Sequence, residues 1–339
     1  MKNLTIHIAS VAPMTFYHDE PLRLPALEIL CHRGSAQKFI SKGDSTIFES
    51  VGMRGISYAR QRLMGEENHP EEINSGYWYC ADPVYLKADR DQVILSHPTS
   101  IGIQQSEAGA LISAFNQLFR DDGIQLWCSA SANAGPERWY LRSEQPLQLT
   151  TTPLDYVEGR GIREFMPQGE SAQRWRQVIA EVEMLFYTDP VNQQRAQDGA
   201  PTVSSLWLWG EQIEKRSSQH EWELLVGDHA LLKGASTLQN IPLLDSTISF
   251  KELLEYSNSG LIVIDELLQL QRRGAHHEVP ALLQQLERRL FEPALKALRS
   301  GELRKLTIQP ANGSIYRTRR SNMMRFWRRA KQLWPAIGS

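Results

Sequence analysis

Apolar and polar positions along this chain recur with two periods. Over Leu4–Val11, Leu4, Ile6 and Ile8 alternate with Thr5 and His7, which predicts a strand ending at Pro13. Val84, Leu86 and Ala88, then Val93, Ile94 and Leu95, flank the charged turn Asp89-Arg90-Asp91 and predict a β-hairpin from Ala81 to Leu95. Ile124–Cys128 and Trp139–Leu141 read as two further strands. Helical spacing governs Ala108, Leu111, Ile112, Phe115, Leu118 and Phe119, with Ser106 as the expected cap and Asp121-Asp122-Gly123 as the stop. It governs Trp175, Val178, Ile179, Val182 and Leu185 as well, which predicts a helix over Ser171–Tyr187.

The stretch Asp189–Gly210 has residue types that suit a site as well as a core. Asp189-Pro190 initiates a turn, Asn192 and Arg195 follow on a short helix, and Asp198-Gly199 with Pro201 stops it. A strand then starts near Val203, with Leu206 and Leu208 on one face and Trp207 and Trp209 on the other, before Gly210. Residues 211–222 read as a loop or crossover, and Leu224–Val226 as a new strand. Leu261–Leu267, LIVIDEL, is a strongly apolar run typical of a buried parallel strand. After Pro280, Leu282, Leu283, Leu286, Leu290 and Ala294 line one side of a helix that Pro293 bends or splits. Leu306-Thr307-Ile308 is a short strand. Residues 317–334 read as an amphipathic basic helix, with Arg317, Arg319, Arg320, Arg325, Arg328, Arg329 and Lys331 around a stripe of Met323, Trp327, Ala330 and Trp334.

A length of 339 residues allows two domains at about 100–200 residues each. The 41% of hydrophobic residues is enough to fill their cores, and the net charge of -2 argues against a whole-protein preference for nucleic acid or anionic membrane. No apolar run approaches the ~18 residues of a membrane span, and the N-terminus lacks a signal-peptide core, so a cytoplasmic location is expected. Cys31, Cys80 and Cys128 are odd in number and lack CxxC spacing, which suggests small buried residues.

Alternation puts Arg138, Tyr140 and Arg142 on one face of their strand, either as a solvated surface or as a clamp for phosphate or carboxylate. Asn192 suits a hydroxyl, and Arg195 a carboxylate or phosphate. Asp228-His229 reads as a capping Asp with a surface His. The segment Gly43–Phe48 reads as a helix N-cap.

The run from Thr151 to Gly210 resembles the substrate lobe of archaeal-type cofactor-independent phosphoglycerate mutases, through DPVN at Asp189–Asn192, the following Arg195 and WLWG at Trp207–Gly210. ADPVYLKADRDQVIL at Ala81–Leu95 and RWYLR at Arg138–Arg142 resemble the entry and middle of that lobe, and the whole looks closer still to a bacterial group of shorter mutase-like or regulatory proteins. The resemblance implies an α/β fold, a shortened alkaline-phosphatase-like core built from residues 1–80 and 220–339, with an α+β lobe inserted at 81–219. It implies a ligand site drawn from Arg138, Arg142, Asp189, Asn192, Arg195, Trp207, Trp209 and Gly210, with Arg138, Asn192 and Arg195 converging. A metal role for Asp228, His229, Asp265, His276 and His277 is likewise only what the resemblance implies.

The departures concern the chemistry. The family's Asp-Gly metal ligand and its Ser or Thr nucleophile have no recognisable match, Asp19 and Ser45 being the nearest acid and hydroxyl. The asparagine of its G-x-P-x-N is matched by Ser204 or Ser205. Its acidic metal loop is replaced by Gln269–Glu278, where two arginines stand in place of carboxylates, and its Asp-His by Gln309-Pro310-Ala311-Asn312. The leading expectation is therefore a mutase-like protein without its metals, catalytic residues or cofactors, which binds a small phosphorylated or carboxylated metabolite or regulates through it. The alternatives are an active phosphoglycerate mutase using Mn, Zn or Mg, and an adaptor that meets nucleic acid or an anionic surface through the basic C-terminal helix. No protein partner is named by the sequence.

Overall fold

The computed structural model describes residues 2–9, 22–38, 44–52, 55–90, 92–129, 135–211, 222–310, 314–325 and 328. Of the positions named above, Val11–Pro13, Asp19, Gly43, Asp91, 212–221, Ala311-Asn312, Trp327, Arg329, Ala330, Lys331 and Trp334 lie outside the described residues. The strands are β1 Lys2–Ile8, β2 Ser35–Lys38, β3 Tyr77–Asp89, β4 Gln92–Ser96, β5 Ile124–Cys128, β6 Trp139–Ser143, β7 Ser205–Trp209, β8 Leu224–Val226, β9 Leu243–Leu244, β10 Ser259–Ile264, β11 Leu303–Pro310 and β12 Ser314–Arg319. The chain divides into two compact units, residues 1–51, 218–232 and 239–339 in the first and residues 52–217 with 233–238 in the second.

The first unit is an α/β layer around a seven-stranded sheet of order β2-β12-β11-β1-β10-β8-β9. Neighbours from β11 through β9 run parallel, and the β2-β12-β11 edge is antiparallel. Ile6 of the central strand β1 stands opposite Ile262 of β10 and Ile308 of β11. These strands are buried on both faces, which is why β10 reads as an unbroken apolar run. Leu4, Ile6, Ile8, Ile262 and Ile264 pack with Leu27 and Leu30 of the helix Pro25–Arg33 and with Leu283, Leu286 and Leu298 of the later helices. Around Pro293 the helical run is split: Val279–Leu286 passes through a π turn, Glu287–Phe291, before Glu292–Ser300 begins with that proline in its first turn.

The second unit is an antiparallel sheet of order β4-β3-β6-β5, with β7 also paired to β3. Period-two alternation gives it two unlike faces. Tyr79 and Ala81 of β3, Leu126, Trp139 and Leu141, and Leu206 and Leu208 of β7 meet Phe115 of the helix Gln105–Leu118 and Trp175, Val182 and Phe186 of the helix Ala172–Thr188. The intervening residues Asp82, Tyr140 and Trp209 turn to the opposite face, over which the helix Tyr58–Met64 lies.

Three expectations change. The division falls at Gly52, not at residue 81, because β3 begins at Tyr77, the Tyr58–Met64 helix packs on it, and Ala59 N–H donates to Gly210 O at 3.2 Å. Gln104 and Glu107, not Ser106, form the capping box of the helix Gln105–Leu118. The basic segment does not start a helix at Arg317: Arg317 and Arg319 lie on β12, paired with β11, and residues 320–324 form a 3₁₀ turn. Cross-strand pairing there satisfies backbone groups that a helix would have satisfied locally.

Candidate functional site

The carboxyl ends of parallel strands are where open α/β sheets bind ligands, because the backbone there fans apart and loops supply side chains. In the first unit this edge carries His7 from β1, Asp228-His229 after β8, and Asp265-Glu266 after β10. His7 is buried, and its Nε2 lies 2.7 Å from Thr46 Oγ1 at the start of the helix Asp44–Val51. Burial pushes the imidazole down to about 4; a hydrogen bond with the side chain of Gln309, its register partner on β11, opposes the fall, His229 adds to it and Asp44 opposes it. A neutral His7 is therefore the form present near pH 7.

His229 is buried and Asp228 exposed, the reverse of a capping Asp beside a surface His. Leu231 N–H donates to His229 Nδ1 at 3.2 Å, so a neutral ring carries its proton on Nε2, which lies 3.4 Å from Asp44 Oδ1. Arg272 Nη1 approaches Asp44 Oδ2 at 3.7 Å. The carboxylate at this edge thus faces a guanidinium and an imidazole. Asp265 stands at the N-cap of the helix Glu266–Arg272 without a side-chain cap bond, and His276 and His277 are exposed in a 3₁₀ turn. Burial raises the Glu266 carboxyl, helped by Asp265 and Asp228 and opposed by its own backbone bond and Arg289. Among the described residues no three His, Cys, Asp or Glu are placed to hold one ion. Among the described residues, the Arg272 guanidinium beside Asp44 would repel a divalent cation at that carboxylate.

In the second unit the residues expected to form one anion pocket are distributed over two faces of the sheet. Asp189 caps the helix Pro190–Gln197 by accepting from Val191 N–H at 2.8 Å. Asn192 donates to Phe186 O and Val203 O at 2.8 Å each and accepts from Val203 N–H at 2.9 Å, so its amide ties the short helix to the strand that follows. Arg195 is 6% exposed, and its donors go to Pro201 O, Glu107 Oε2 and Ile101 O. Its guanidinium is an internal clasp, and the expected convergence with Arg138 does not occur. Trp207 donates to Thr152 O and Trp209 to Asp82 Oδ2. Arg142 donates to Ser75 Oγ at 3.1 Å. Gly210 holds φ at +78°, which favours glycine.

On the opposite face sits a buried polar network in which sequence reasoning marked only Arg138, Tyr140 and Trp209. Arg62 donates to Asp82 Oδ1 at 3.0 Å and to the phenol oxygen Oη of Tyr140 at 2.9 Å, and lies among the rings of Tyr140, Trp209 and Tyr58. Glu66 accepts from Tyr140, Arg138 and Ser129. One signal was available in the sequence: Asp82 is a lone charge within the apolar strand YWYCADPV, and a buried charge requires a partner.

No protein-family model matches the chain. Over 139 residues it is 23% identical to a probable 2,3-bisphosphoglycerate-independent phosphoglycerate mutase of Geobacter sulfurreducens, covering 41% of this chain and 34% of that protein. Over 196 residues it is 20% identical to the 2,3-bisphosphoglycerate-independent phosphoglycerate mutase of Methanosarcina mazei, covering 56% and 48%. Its relatives are phosphoglycerate mutases. The solved structure of the PH0037 protein from Pyrococcus horikoshii shares the fold, with a TM-score of 0.51 at 12% identity over 94% of this chain and 87% of that one. The chain spans less than half the length of the two curated mutases it matches. The mixed α/β architecture expected of a mutase-like chain is therefore present. Among the described residues no helix is long and apolar enough to cross a membrane.

Proposed function

We propose that this chain is a phosphoglycerate-mutase-like binding or regulatory protein of the cytoplasm, which recognises a small phosphorylated or carboxylated metabolite without metal-dependent phosphoryl transfer. The observation that carries the reading is Arg272 beside Asp44, with His229 on the other carboxylate oxygen. Two-metal phosphoryl transfer needs several carboxylates and imidazoles converging on ions about 3.5–4 Å apart. At this strand edge the Arg272 guanidinium and the His229 imidazole flank the Asp44 carboxylate and the Thr46 hydroxyl meets the His7 imidazole, groups better suited to the oxygens of an organic phosphate than to a divalent ion. The names of the relatives support a sugar-acid phosphate as the class to test first.

The test is threefold on the purified protein: elemental analysis after incubation with Mn and Zn, interconversion of 3- and 2-phosphoglycerate, and thermal shift with 3-phosphoglycerate. Saturable stabilisation by the phosphorylated acid, equal with and without Mn and unaccompanied by turnover, is the expected result. Stoichiometric metal together with interconversion overturns the reading.

A further inference from the structure

In the second unit β5 and β6 run side by side, and Ser129, just past β5, continues the ladder as its N–H donates to Arg138 O at 3.1 Å. Ser129 and Arg138 are thus cross-strand partners, and Tyr140, two residues on from Arg138, shares their face. Three donors are held there by one rigid ladder, and all three point at the same carboxylate. Tyr140 O–H donates to Glu66 Oε1 at 2.8 Å, Arg138 Nη1 to the same oxygen at 3.2 Å, and Ser129 Oγ–H to Oε2 at 3.1 Å. Arg62 Nε–H donates to Tyr140 Oη at 2.9 Å, which orients the phenol so that its proton faces the acid.

The acceptor comes from a different element. Glu66 lies in the turn just after the seven-residue helix Tyr58–Met64, and its side chain reaches the sheet with the residue only 5% exposed. The Arg138 side chain remains 20% exposed, so the donor set borders solvent on its side. Arg138 and Arg62, with the Tyr140 hydrogen bond, outweigh burial and hold the Glu66 carboxyl below its usual range, so the group is an anion at neutral pH. The donors are strand-fixed and convergent, while the acid is delivered by a short separate segment. That is the arrangement of a receptor and a tethered ligand.

We propose that Ser129, Arg138 and Tyr140 form a recognition site for the carboxylate of a small organic acid, and that the chain's own Glu66 occupies it as a competing internal ligand. A free carboxylate takes the same three hydrogen bonds by displacing the Glu66 side chain. Because Glu66 is tethered, it acts at an effective concentration of at least millimolar order, so a free acid binds the native chain more weakly than a chain without that side chain. The site belongs to the second unit alone and does not depend on the absence of metal chemistry proposed above.

The substitution Glu66→Ala removes CH₂–COO⁻, the skeleton of acetate, which makes sodium acetate the probe, against sodium chloride and sodium phosphate at matched ionic strength. In E66A with native circular dichroism, the thermal midpoint is expected to climb with acetate and saturate, with apparent affinity at least about tenfold tighter than in the wild type. The isosteric E66Q, which still fills the position, and the double variant E66A/R138A are expected to lose that acetate-specific response. An E66A that responds no differently to acetate than to chloride overturns the proposal, as does an equal response in E66A/R138A. A larger response to phosphate than to acetate overturns the carboxylate assignment. Should E66A not fold, hydrogen exchange on the wild-type chain decides: saturating acetate is expected to speed exchange in the peptide containing Glu66 and Arg60, and an unchanged peptide refutes the displacement.

Discussion

The indole N–H of Trp209 donates to Asp82 Oδ2 at 2.7 Å, while Arg62 holds the other oxygen of the same carboxylate at 3.0 Å. The pairing of β3 with β7 sets this up: Cys80 stands opposite Trp209, so Asp82, two residues on, is a diagonal neighbour on the same face. A carboxylate and a guanidinium are thereby buried together, each hydrogen-bonded within the network. Removing one partner leaves the other charge without its direct ion pair. The substitution Asp82→Asn is expected to destabilise the chain by roughly 3–5 kcal/mol, and Trp209→Phe, which removes one donor, by about 1–3 kcal/mol. Urea unfolding with a common m-value checks both, and a loss below about 1 kcal/mol for Asp82→Asn contradicts the assignment.

Arg195→Ala is expected to act on stability rather than on ligand binding. Its guanidinium links Pro201 O, Ile101 O and Glu107 within one unit. Loss of a buried, hydrogen-bonded charge costs about 3–5 kcal/mol. Denaturation of the variant should show that loss, while the response of the folded fraction to 3-phosphoglycerate stays as in the wild type.

The His7 imidazole makes stability fall in weak acid. Its folded pKa of about 4 lies below the ordinary 6.5, so between those values the unfolded chain binds a proton that the folded chain does not. Stability from this group is complete above pH 6.5 and is lost as pH falls to 4, by roughly 3 kcal/mol in all. Unfolding free energies measured from pH 4 to 7 should slope less steeply in His7→Gln, which has no titrating ring. Parallel slopes in the two proteins would exclude His7 as the source.

Gly210 sits at φ +78°, and a Cβ there would come 3.1 Å from Cys80 Sγ. Both the left-handed backbone and the close approach count against a side chain. Gly210→Ala should therefore cost about 1–3 kcal/mol, read as a lower thermal midpoint. An unchanged midpoint would mean that the turn relaxes freely.

The element types were legible in the sequence because they follow from local period. The 3.6-residue spacing of Trp175, Val178, Ile179 and Val182 marks a helix wherever the chain folds, and Leu261–Ile264 is apolar on both sides because β10 lies inside a parallel sheet. The order of the lobe motifs also pointed to the relatives that were found. Side-chain roles were not legible, because hydrogen-bond partners are chosen across the fold. Asn192 and Arg195 carry the residue types of a ligand site, yet their partners are backbone carbonyls, one backbone N–H and Glu107, brought near by tertiary packing. His7 looked like the polar face of a strand and lies instead between the sheet and the helix bearing Thr46, where burial removes its charge. Glu66 and Arg138 are 72 positions apart, and only the seating of a short helix on β3, the neighbour of β6, makes them a pair. Periodicity reports which face of an element is dry; which charge meets which depends on long-range pairing, since an ion or amide leaves water only where the complete fold supplies its partner.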